Sequence, residues 1–145
     1  MLLLAGVLLA CSEVRNGAGP ISQRIGEQVR TPGAREVDLR QLPSFGWDIV
    51  QVSRPGMSRE AVCDMIGATR KQCGRIIRLE RAPADHVYLL FGLNGQLTHI
   101  ELHDLANGDF DLAMPASGLP KAQAVFRIRR STSAAGAERI RLEPR

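Results

Sequence analysis

The groups in this chain that could do chemistry are three cysteines and three histidines. The densest arrangement is His99-x-Glu101-x-His103. Alternate residues of an extended segment share one face, but positions four apart lie about 13 Å from each other, so His99 and His103 cannot hold one metal. His86 can join them if residues 86–93 and 96–103 fold back as a hairpin. It would then stand opposite His103 with Cβ atoms about 5 Å apart, and Glu101 or Asp104 could complete a metal site. The plainer reading is the polar outer face of a half-buried hairpin. Cys63 and Cys73 offer a second chemistry. In an oxidising compartment such a pair becomes a disulfide; as thiolates without a neighbouring His or Cys they supply half a zinc shell. Catalysis has no signature here. There is no G-x-S-x-G elbow, phosphate loop, H-E-x-x-H or Cys-His pattern, so an enzyme would need a site assembled from distant segments.

The hairpin that must position the histidines turns on Asn94-Gly95. A type I′ turn needs positive φ at both central residues, and Asn-Gly is the dipeptide that accepts it. A two-residue turn pairs Phe91 with Thr98, Leu89 with Ile100 and Val87 with Leu102 as the buried face. The opposite face then carries Leu90 with His99, Tyr88 with Glu101, and His86 with His103. A bulge would slip this register. Tyr88, Leu90, His99 and Glu101 mix apolar and polar groups on one face and form the candidate binding surface.

The remaining elements follow from punctuation and period. Ile21, Ile25 and Val29 recur at helical spacing behind Pro20, and Thr31-Pro32-Gly33 ends that helix. Residues 36–42 alternate as an edge strand, and 47–52, which include the single tryptophan, Trp47, are rich in strand formers. Ser58 is placed to cap a helix with Glu60 in its first turn, and Gly67 closes it. Residues 75–79 read as a strand and 124–128 as the last one. The predicted fold is α+β, a small antiparallel sheet with one or two helices packed on one face, stapled by Cys63–Cys73. Its domain spans 21–130, followed by a basic tail over 131–145 that carries Arg139, Arg141 and Arg145.

The 145 residues leave room for one domain, and 44% hydrophobic with 23% charged residues is ordinary for a globular chain. Aromatic content is only 4%, so Leu, Ile and Val must build the core. Residues 2–10 form an apolar run ending at Cys11. Its length suits a secretory signal, roughly 7–15 residues, and falls short of the ~20 needed to span a bilayer. Leu8-Leu9-Ala10-Cys11 resembles the lipobox of bacterial lipoproteins. That resemblance implies a signal peptide over 1–10 and a diacylglyceryl group on Cys11; no cofactor besides this covalent lipid is expected. Ser12 resembles the residue found there in lipoproteins passed on to the outer membrane. Residues 11–20, rich in Ser, Asn and Gly, then read as a flexible tether. The net charge of +4 suits anionic lipid headgroups or an acidic partner better than nucleic acid, which an exported protein rarely meets.

Two further resemblances concern the domain. Gly56-Met57-Ser58-Arg59-Glu60-Ala61-Val62 with Ile66-Gly67 and the hairpin resembles the SmpA/OmlA group of small outer-membrane lipoproteins, which includes the BamE-like accessory subunits of β-barrel assembly. Phe45-Gly46-Trp47-Asp48, the turn at 55–60, Cys63 and Cys73, Asn107-Gly108-Asp109-Phe110 and Gln123-Ala124-Val125-Phe126 are more similar to a family of uncharacterised small bacterial lipoproteins. The likeness implies a lipid anchor and a disulfide-bearing α+β domain, with no activity attached. The functional expectation is therefore a non-enzymatic binding or envelope-assembly module, anchored at the outer membrane, facing the periplasm and contacting a protein partner. A metal-binding lipoprotein using His86 and His103 is the alternative, and an enzyme with a dispersed site is the third.

Overall fold

The computed structural model describes residues 17–67, 70–115 and 117–145. Cys11, the apolar run and the tether as far as residue 16 lie outside the described residues. The chain forms α1 (Pro20–Arg30), β1 (Glu36–Asp38), β2 (Ile49–Val52), α2 (Arg59–Met65), α3 (Arg70–Ile76), β3 (His86–Leu93), β4 (Gln96–Asp104), β5 (Asp109–Phe110), β6 (Leu119–Pro120), β7 (Val125–Thr132) and β8 (Glu138–Pro144). The fold is α+β, as the sequence predicts, but with two four-stranded sheets among the described residues. One is ordered β4-β3-β2-β6 and the other β1-β7-β8-β5, with only β5 and β8 parallel.

The first sheet is covered on both faces. One face, with Val50, Leu89 and Phe91, shares a core with Ile21, Ile25 and Val29 of α1 and with Val37, Phe126 and Leu142 of the second sheet. The other face, with Tyr88, Leu90, Ile100 and Leu102, lies under α2 and α3 through Val62, Cys63, Cys73 and Ile77. This explains why Val87-Tyr88-Leu89-Leu90-Phe91 is a continuous apolar run: a strand buried on both faces has no polar alternate. All five residues are buried.

Asn94 (φ 51°) and Gly95 (φ 78°) make the expected tight turn. Gly92 pairs with Leu97 and Leu93 with Gln96, as a two-residue turn requires. A bulge between Phe91 and Gly92 then shifts the ladder by one, so that Phe91 faces His99, Leu89 faces Glu101, Val87 faces His103 and His86 faces Asp104. The predicted pairing beyond the turn is corrected accordingly.

Three other expectations change. Residues 75–79 are not a strand; α3 covers Arg70–Ile76. The reason is the layer it belongs to, since Cys73 and Ile77, one helical turn apart, are both fully buried against α2 and the sheet. The tether ends early, because Ala18 bridges Leu102 and the Gly19 N–H donates to the Leu102 carbonyl at 2.9 Å. The C-terminal segment is not a tail. β8 pairs with β7 over its whole length and buries Leu142 completely.

The Cys63–Cys73 disulfide joins α2 to α3 with Cα atoms 5.7 Å apart. Ser58 caps α2 by accepting from the Ala61 N–H. A helix of seven residues is marginal alone, so the bridge and the sheet beneath hold the α2–α3 layer. Replacing both cysteines by serine is expected to lower stability by about 2–3 kcal/mol, read from urea unfolding with and without reductant. Equal stability of the oxidised and reduced wild type would contradict that role.

Candidate functional site

The polar side chains that converge in this fold do so where α1 meets β4. Gly19 precedes α1 and brings no side chain to cap it, so the first-turn N–H groups need an outside acceptor. Glu101 supplies it. Its Oε1 accepts the Ser22 N–H at 2.7 Å and its Oε2 lies 2.9 Å from His99 Nε2. Glu101 approaches so closely that a Cβ on Gly19 would collide with its carboxylate. Ser22 Oγ accepts from the Asp104 N–H (3.1 Å), Asn107 Nδ2 donates to the Ser22 carbonyl (3.0 Å), and Arg30 Nη2 donates to Asn107 Oδ1 (2.8 Å). The carboxylate is thus spent on a helix end and a histidine. What this cluster does chemically is dock α1 to β4.

The histidines do not assemble a metal site. His86 stands opposite Asp104 with its Nδ1 2.7 Å from Asp85 Oδ1, whereas His103 is one position along and points to the other face, opposite Val87. The shifted register separates them. His103 is fully buried, with Nε2 2.6 Å from the Gly108 carbonyl oxygen and its ring 5.1 Å from Phe110. Burial pushes its pKa below the usual histidine value, so Nε2–H donates to Gly108 from a neutral ring. Among the described residues no three His, Cys, Asp or Glu side chains come together to hold a metal.

The predicted binding surface also divides. Tyr88 and Leu90 face the α2–α3 layer and are 0% and 2% exposed. His99 and Glu101 face the other way, with His99 beside Phe45 at a 4.7 Å ring separation. The four residues neither share a face nor reach solvent together. Covering of both sheet faces, which the apolar run of β3 already signalled, is the cause.

An open apolar cleft lies elsewhere, between α2 and the loop after β5. A cleft of about 250 Å³ is walled by Val52, Met57, Met65, Phe110, Leu112 and Met114, with Arg54 and Asp111 at its edges. It holds every methionine among the described residues. It adjoins a second hollow of about 150 Å³ that shares Gln51 and Met65. Leu112, 63% exposed, is the most exposed large apolar side chain described. The two cores meet here: Met114 packs on the α1 side of the first sheet, Met57 and Met65 on the α2–α3 side. Flexible thioether walls adapt to apolar guests of varied shape. No local motif could have announced this cleft, because residues 51–57, Met65 and 110–115 meet only in three dimensions. The sequence shows only that Phe110, Leu112 and Met114 are apolar in a short stretch between turn-like segments.

No known protein family, curated protein or solved structure matches the chain.

Proposed function

We propose that this protein is a lipid-anchored lipoprotein of the bacterial envelope, held at the outer membrane and facing the periplasm. It acts there as a non-enzymatic binding or assembly module. The lipobox-like Leu8–Cys11 stretch supports the anchor, and a disulfide between Cys63 and Cys73 fits an oxidising compartment. The observation that carries the binding reading is the methionine-walled cleft with Leu112 exposed at its rim. Exposed apolar surface gathered around a concavity marks an interaction site more often than a solvated face. The converging polar side chains, in contrast, are engaged in docking α1, which supports binding over catalysis.

The test is crosslinking in the native envelope from a photoreactive residue at 112, compared with one at Arg129 on the far sheet. Reproducible capture from 112 alone is expected, and Leu112→Asp should reduce partner affinity about 30-fold or more, because it both removes an apolar contact and buries a charge against the partner. Because Leu112 is exposed, the melting temperature should stay within about 2 °C. Cys11→Ala should leave the chain uncleaved, without acyl label, and without capture. Turnover of a substrate by the soluble domain, or equal capture from both positions, would overturn the reading.

A further inference from the structure

Resting on the assignment of the cleft as the binding site, we propose that its occupant is an extended polypeptide segment of a partner. This segment adds as a strand to the edge of β2, with apolar and acidic side chains. The backbone at the cleft carries this. The Ser53 N–H donates to the Tyr88 carbonyl, 3.0 Å away on β3. Successive residues of a strand present their N–H and C=O to opposite sides, so those of Val52 point away from β3 toward the cleft. Two positions back on that same side, Val50 pairs with Leu119 of β6. But β6 is two residues long, and the chain leaves β2 at a turn in which the Gly118 N–H donates to Pro115. No described residue pairs with Val52 there. Two positions on, the Arg54 N–H is taken by Met57 Sδ at 3.2 Å. The edge is therefore closed at Val50 and at Arg54 and open for a single rung at Val52.

One open rung beside an apolar cleft specifies main chain as well as side chains. An added strand satisfies the Val52 donor and acceptor together, and its alternate side chains fall into the methionine-walled hollow. A hydrocarbon chain fills the hollow but leaves both backbone groups unpaired. Charge selects further. The segment 54–81 holds seven Lys and Arg against three carboxylates. Arg54 lines the cleft, and the Arg81 guanidinium donates to the Gly56 carbonyl beside Met57. Asp111, the carboxylate that lines the cleft, is already paired with Arg141 at 3.7 Å, so acidic residues next to the apolar ones complement the Arg54 side.

The experiment pans a random decapeptide display library on the full chain in detergent and measures recovered peptides by titration. Recovered sequences are expected to mix apolar and acidic residues, and binding should slow hydrogen exchange at the Val52 amide. Methylating one backbone nitrogen of the peptide, position by position, should cost roughly tenfold or more at the paired position. Val52→Pro removes the outward N–H while leaving the bonds to β3, and should cost as much. If no peptide is enriched, or if methylation at every position is tolerated, strand addition is overturned. Dodecanoate binding that Leu112→Asp abolishes would then retain the cleft with a lipid occupant, also against the proposal. Self-association by sedimentation that Val52→Pro dissolves would replace the partner by a second copy. Failure of peptide and dodecanoate alike, with Leu112→Asp harmless to capture in the envelope, would overturn the cleft assignment itself.

Discussion

Replacing Glu101 by alanine is expected to cost about 3 kcal/mol of folding stability and to lower the melting temperature by roughly 10 °C. The carboxylate is almost fully buried and holds two donors at once, the Ser22 N–H and His99. Without it the first turn of α1 keeps an N–H with no acceptor, because Gly19 cannot cap the helix. A buried donor left unpaired costs about 1–3 kcal/mol. The volume vacated beside Gly19 adds to this. Glu101→Gln keeps one carbonyl oxygen for Ser22 and should lose about half as much. Urea unfolding at constant m-value gives the free energies. Hydrogen exchange at residues 22–25 shows whether α1 detaches before the sheets open, as the trans-cap predicts. A loss below about 1 kcal/mol would mean that the apolar stripe of Ile21, Ile25 and Val29 docks α1 unaided.

Where a local rule decided the structure, the sequence was readable. Pro20 before a 3.6-residue apolar period gave α1, Ser58 gave the start of α2, and Asn94-Gly95 gave the hairpin turn. The register failed after the first two pairs beyond that turn. A bulge inserts a single residue, and neither Phe91 nor Thr98 differs in type from its neighbours enough to reveal it. The error then propagated: with period 2, one step exchanges every face, which is why His86 and His103 were brought together and Tyr88 was set beside Glu101. The second sheet was missed for another reason. Its strands are far apart in sequence, and three arginines made residues 131–145 look like a solvated tail. The signal was nevertheless present, since Arg139-Ile140-Arg141-Leu142-Glu143 alternates as a half-buried strand does, and Ile140 and Leu142 pack on the shared core. In α3, the β-branched pair Ile76-Ile77 outweighed the one-turn spacing of Cys73 and Ile77, a conflict that only packing on α2 resolves.

The candidate site was the least readable part, and its physics says why. A catalytic motif or metal ligand set has a fixed spacing; a binding cleft has only a shape. Met65 reads as part of the apolar face of a helix, which it is, Met57 reads as the end of the turn before that helix, and Met114 carries no signal of its own. Their meeting depends on β5 and β6 being two-residue strands that carry the intervening loop across the end of the first sheet.

Acid should weaken the fold through His103, with a slope approaching about 1.4 kcal/mol per pH unit below the unfolded histidine pKa near 6.5. Burial lowers the pKa of the folded ring. The hydrogen bond to the Gly108 carbonyl and the charges of Glu101 and Asp104 oppose this, and His86 assists it. Lowering wins, so the sign is fixed. As pH falls below about 6.5 the unfolded chain takes up a proton that the folded chain refuses. The contribution of His103 is thus fully present above that pH and is lost progressively on the way down to its folded pKa. Asp38 and Asp85, whose carboxyls Arg40 and His86 hold below the usual range, act only as pH falls through about 3.8, in a separate window. Unfolding free energies measured at pH 7.5, 6.5, 5.5 and 4.5 for wild type and His103→Gln isolate the effect as the difference between two curves. Glutamine keeps an N–H for Gly108 without titrating, so its curve should be flatter and should cross or approach the wild-type curve in acid. Parallel curves would show that His103 takes up its proton without unfolding. The neutral ring between Gly108 and Phe110 would then not be required by the junction of β4 with α1.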